Sequence, residues 1–134
     1  MITILDVSPF LSRRRIIVKV EGLGYYEARY PDVTSFADSI RSPIRKVAYR
    51  LRIDKEAEGF LCAWLQRAVG TVHDFGTHNL KMLGLPVTSE WCSCICSNFP
   101  ILGLKEACNL VVVPNIWLWT PDQFAEHPEL FEKV

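Results

Sequence analysis

Three cysteines stand at every second position of "EWCSCICSNFP" (residues 90–100): Cys92, Cys94 and Cys96. On a strand all three thiols share one face, whereas on a helix Cys92 and Cys96 are i, i+4 neighbours and Cys94 points away. The flanks, "TSE" before and "NFP" after, read as the ends of a short helix. With Ser89 as its cap, Cys92 takes the third helical position, where the positive helix end stabilises a thiolate. A thiolate nucleophile needs a base, and His73, with Asp74 beside it, is the candidate. Packing is the expected role of the other thiols, since free cysteine is among the most buried residue types.

The same residues bear on metal binding. The ingredients are His73, His78, Cys92 and Cys96, with Cys94 and Cys108 as reserves. "HDFGTH" is His-x4-His, which on a helix sets the imidazoles about 140° apart. That is not the one-turn spacing of HExxH, and the cysteines do not form the two close pairs of a structural zinc site. No cofactor is expected, and no phosphate-binding glycine motif is present.

Charge offers a second kind of chemistry. The chain carries no net charge, but residues 1–53 hold ten Lys/Arg against five Asp/Glu, and the remainder reverses that ratio. In "SPIRKVAYRLRI" the Ser42-Pro43 start predicts a helix, with Ile44, Val47, Ala48 and Leu51 on its apolar side. Arg41, Arg45, Lys46, Tyr49, Arg50 and Arg52 then form the other face, suited to phosphate or to an acidic protein surface. The same letters also read as a strand with Val47, Tyr49, Leu51 and Ile53 on one side. Arg13, Arg14 and Arg15 offer a second basic cluster. In "NIWLWTP" Trp117 and Trp119 share a face, and an edge there would present them to a partner.

The elements that must position these residues follow from pattern. "ITILDV", "RRIIVKV" and "GYYEARY" predict three antiparallel strands, with "EGLG" as the hairpin loop between the last two. A short helix is expected from about Ser35. "DKEAEGFLCAWLQRAVG" is the clearest helix: Asp54 caps it, Leu61, Trp64, Leu65 and Ala68 form its buried stripe, and Gly70 ends it. "VHDFGTHNLKMLG" predicts another helix, "NLVVV" a short buried strand and "IWLW" an extended apolar segment. Thr120 and Pro121 start a terminal helix that Pro128 restarts. The run "YYEARYPDV…SFADSI" resembles the strand-then-helix portion of HicB-like antitoxins over residues 16–48. It lacks the glycine-rich link before the helix, and no function is carried across.

The expected fold is therefore a single α+β domain over residues 1–134. It comprises an N-terminal three-stranded antiparallel sheet, several helices on one face, and one or two late apolar strands. No apolar run is long enough for a membrane span, and the basic cluster follows the first apolar stretch, the reverse of a secretory leader. Five cysteines without framework spacing fit a reducing compartment, so a cytoplasmic chain is expected. With no catalytic motif, the sequence favours a non-catalytic interaction protein, an inhibitor, adaptor or small subunit. It would bind a protein partner through Arg41–Arg52 and Trp117–Trp119. Nucleic acid on the 41–52 face is the alternative; a Cys-His enzyme or metal-binding domain is the second. Self-association is left open.

Overall fold

The computed structural model describes residues 1–10, 13–29, 32–37, 43–70, 98–114 and 119–134. Its strands are β1 (Ile2–Phe10), β2 (Arg13–Val20), β3 (Gly24–Arg29), β4 (Asp32–Phe36), β5 (Arg45–Leu51) and β6 (Phe131–Lys133). They form one sheet in the order β4-β3-β2-β1-β5-β6, with every neighbouring pair antiparallel. The sheet thus has six strands, not the three expected at the N-terminus with one or two late additions.

The β2–β3 hairpin closes as its glycines predict. Gly22 and Gly24 both take positive φ, 86° and 110°, where a side chain is strained. A Cβ on Gly24 would also lie 3.0 Å from the Phe36 carbonyl oxygen. The helix expected from about Ser35 does not begin there, since Ser35 and Phe36 belong to β4; residues 38–42, where it would continue, lie outside the described residues.

The largest correction concerns residues 44–53. Residues 45–51 of this stretch form strand β5, not a helix, and pair along β1 from Thr3↔Arg50 to Ser8↔Arg45. Local capping favours a helix, but β1 is a central strand, and without β5 one row of its backbone N–H and C=O groups would lack partners. The alternative period of two prevails, putting Val47, Tyr49 and Leu51 on the core side. The antitoxin-like order of strand then helix fails here too, since residues 32–36 and 45–51 are both strands.

Helix α1 (Lys55–Ala68) matches its sequence reading. Asp54 accepts a hydrogen bond from the Ala57 N–H at 2.7 Å, and Leu61, Trp64, Leu65 and Ala68 are buried. Gly70 donates to the Val33 carbonyl at 2.9 Å, tying the helix end to β4. A second helix, α2 (Phe99–Cys108), has no counterpart in the sequence reading. Its residues 99–104 are all buried, so it lacks the polar face that reveals amphipathic helices. It ends at Asn109 in the left-handed conformation, with Leu110 donating to Leu104, the wrap of a Schellman-type cap.

"NLVVV" is not a strand; Leu110 and Val111 are exposed while Val112 and Val113 pack on the core. The terminal helix is a 3-10 helix, Pro121–Glu126, started by Gln123 Oε1 accepting from the Thr120 N–H at 2.7 Å. After Pro128 the chain turns into β6 rather than a new helix.

α1, α2 and the 3-10 helix cover one face of the sheet, the helix face. Ile4, Ile16, Val18, Tyr26, Tyr49 and Phe131 meet Leu61, Trp64, Ile101 and Phe124 there in the main core. The opposite face, the far face, carries a smaller cluster of Leu5, Val7 and Ile17 with Tyr25, Phe36 and Ala48. No helix among the described residues is long and apolar enough to cross a membrane.

Candidate interaction surface

Strand alternation sorts the basic residues between the two faces. Arg14 and Arg15 are adjacent on β2, so they point oppositely. Arg14 lies on the helix face and grips both oxygens of Asp6, whose side chain is 0% exposed. Arg45 reaches the same carboxylate at 3.2 Å, and Arg14 also holds Asp122 at 2.9 Å. One buried acid and two part-exposed arginines thus join β1, β2 and β5 to the 3-10 helix. The hydrogen bonds that Arg14 donates to Asp6 are the main reason its pKa is pushed further up.

Arg15 lies on the far face and makes a two-pronged ion pair with the buried Glu27, at 2.8 and 2.6 Å. Its guanidinium also sits 5.9 Å from the Phe36 ring centroid. Lys46, Arg50 and Arg52 share this face. Arg50 donates to Glu132 at 2.9 Å, and Arg52 lies 3.8 Å from the same carboxylate. The Arg50 hydrogen bond holds the Glu132 pKa below its ordinary value.

The pairing registers assemble something no single segment shows. Phe36 lies opposite Tyr25, Tyr25 opposite Lys19, Lys19 opposite Thr3, Thr3 opposite Arg50, and Arg50 opposite Glu132. Directly opposed residues point to the same face, so one row crosses all six strands of the far face. It reads aromatic, aromatic, cation, hydroxyl, cation, acid. Tyr25 and Phe36 stack at 5.4 Å with planes 10° apart, and the Lys19 ammonium sits 5.9 Å from the Tyr25 ring. Arg52 flanks the row, and Lys46 stands further along β5, where Val7 lies between it and Arg15.

The residues nominated from sequence fare unequally. Lys46, Arg50 and Arg52 are exposed and on one face. Arg45 is on the other face, engaged with Asp6. Tyr49 is buried in the core, 5.9 Å from the Phe124 ring, and Trp119 is buried among Phe124, His127 and Phe131. Neither offers a surface to a partner, because their ring area is already removed from water. Arg41, Trp117, His73, His78, Cys92, Cys94 and Cys96 lie outside the described residues. Among those described, no group of three or more His, Cys, Asp or Glu could hold a metal ion. Cys62 and Cys108 are free thiols whose pKa values burial pushes up.

Sequence reasoning missed Lys19 and Phe36 altogether and could place Tyr25 only as one of two tyrosines with opposite faces. The structure resolves that pair: Tyr26 is in the core and Tyr25 is on the far face. Comparison with family models, with curated proteins and with solved structures finds no match to this chain.

Proposed function

We propose that this chain is a non-catalytic binding protein of the cytoplasm that docks the anionic surface of a partner macromolecule on the far face of its sheet. The observation that carries this reading is the row through Lys19, Thr3 and Arg50, with Arg52 beside it and Lys46 on the same face. Lys19 and Lys46 make no ion pair with any described residue, so their charge is available to a ligand. Glu132 takes one donor of Arg50, and a guanidinium has five. The free thiols of Cys62 and Cys108 fit a reducing compartment.

Retention on a heparin column tests the reading, because a chain of zero net charge has no bulk reason to be held by a polyanion. Wild type should be retained and elute with salt. Lys19→Glu with Lys46→Glu should elute much earlier, whereas Lys55→Glu with Lys105→Glu, on the helices, should elute close to wild type. Equal losses from the two double variants would show no preferred face and remove the reading.

A further inference from the structure

Resting on that reading, we infer that the partner is a single-stranded nucleic acid that crosses the strands along the six-residue row. Its phosphates lie on Lys19, Arg50 and Arg52 and on Lys46 of the same face, and one of its bases stacks on Tyr25.

The order of side chains carries the inference. Lys19 and Arg50 flank Thr3 on adjacent strands, so their backbones are about 10 Å apart at ordinary strand spacing. The Thr3 hydroxyl lies between them as a hydrogen-bonding group for a phosphate or sugar oxygen. A cation pair of this kind would serve any polyanion. The aromatic pair at one end narrows the choice.

Tyr25 is backed by Phe36, and Phe36 is backed by Arg15, which Glu27 fixes in place. On its other side Tyr25 meets the Lys19 ammonium, 5.9 Å from the ring centroid. That distance is at the outer limit of a cation–π contact, about 6 Å, so Lys19 is loosely held. Lys19 therefore turns to a phosphate, and a base takes its place on the ring. An aromatic face beside phosphate-binding cations is the means by which unpaired bases are bound without sequence readout. A duplex hides its bases and gains nothing from Tyr25. An acidic protein surface uses the cations and likewise leaves the ring idle.

The test is fluorescence anisotropy of the full chain with end-labelled 15-mers of deoxythymidine and of uridine, with a duplex 15-mer and with polyglutamate as competitor. Both single strands should bind, and log K should fall with log salt with a slope of about −2.8 if Lys19, Lys46, Arg50 and Arg52 each neutralise one phosphate. Lys46→Ala should flatten the slope by about 0.7. Tyr25→Leu should weaken binding by about five-fold or more at unchanged slope. Because Tyr25 also packs on the far-face cluster, a measurement on wild type stands beside it: photocrosslinks from a 4-thiouridine 15-mer should map to the β2–β3 hairpin. Preference for uridine over deoxythymidine would assign RNA, the reverse DNA, and either supports the inference. No binding at low salt, equal affinity for the duplex, crosslinks confined to the helices, or equal competition by polyglutamate overturns it. If the heparin difference persists while the oligonucleotides fail, only the nucleic-acid assignment falls; if both fail, the far face is not a polyanion site.

Discussion

Two glycines, one in each of the described helices α1 and α2, should respond in opposite ways to the same substitution. Gly59 in α1 has nothing within 4 Å of where a Cβ would stand, and its backbone is ordinary helix. Gly59→Ala should therefore stabilise the protein by about 0.5–1 kcal/mol, the helix-interior difference between the residues. Gly103 in α2 has the same intrinsic gain to offer, but a Cβ there would stand 2.8 Å from Trp64 Cζ3 and 2.9 Å from Leu61 Cδ1. Ordinary carbon contacts are about 3.5–4.0 Å, so the ring would have to retreat by most of an ångström. It is held by the Nε1 bond to Glu106 at 2.8 Å and by Phe99, 5.2 Å away between centroids. Overpacking of this kind costs about 1–3 kcal/mol. The difference between the two ΔΔG values isolates that collision, because the propensity gain is common to both. Urea unfolding followed by circular dichroism measures it without relying on Trp64 fluorescence. Trp64→Phe, which removes the colliding ring atoms, should recover part of the loss as a positive coupling in a double-mutant cycle. If Gly103→Ala stabilised as much as Gly59→Ala, α1 and α2 would not meet at Gly103. The packing that places both helices on one face of the sheet would then be wrong.

Other perturbations test the remaining parts. Arg14→Ala should destabilise by about 1–3 kcal/mol, since it removes two donors from a fully buried carboxylate and leaves it with Arg45 alone; Asp6→Asn should cost less, because Arg14 and Arg45 are part-exposed and can turn to water. Denaturant midpoints of the two variants decide the order. The depressed pKa of Glu132 means that its contribution is complete above its ordinary value of 4.5 and fades as pH falls below it. Wild type should therefore lose slightly more stability than Glu132→Gln between neutral and acid pH, and less so at high salt, as the pair is on the surface. Cys62 and Cys108, with thiol pKa values raised by burial, should alkylate at pH 8 more slowly in the native protein than in urea. Mass spectrometry of the two peptides reads this out, and equal rates would contradict their packing.

Local signals predicted what local physics decides. α1 is legible from Asp54 to Gly70 because cap, stripe and stop all agree, and the hairpin at Gly22 because its glycines are required. Residues 45–51 were not legible as a strand, since "RKVAYRL" satisfies both periods and only the partner strand β1 chooses between them. α2 escaped for the opposite reason: its first six residues, 99–104, are all buried and offer no periodic contrast to detect. The far-face row was the least accessible of all. Its members come from six strands spread between Thr3 and Glu132, and their alignment is set by register, which no single segment encodes. The cysteine stretch that dominates the sequence, residues 92–96, lies outside the described residues.

The stabilising cluster and the proposed binding face are two products of one register. On β2, Arg14 turns inward to Asp6 and Arg15 outward; on β5, Arg45 turns inward to Asp6 and Lys46 outward. Slipping either strand by one residue would exchange its two sets; on β5 that would bury Lys46 and Arg50 against Phe124 and Trp119 while exposing Tyr49 and Leu51. A buried carboxylate that accepts from an arginine on each flanking strand penalises both slips, because each would strand a charge in the core. Asp6 therefore contributes more than the net energy of its ion pairs. By fixing how β2 and β5 meet β1, it decides which cations of two basic segments reach the far face, and so which residues a polyanion could meet there.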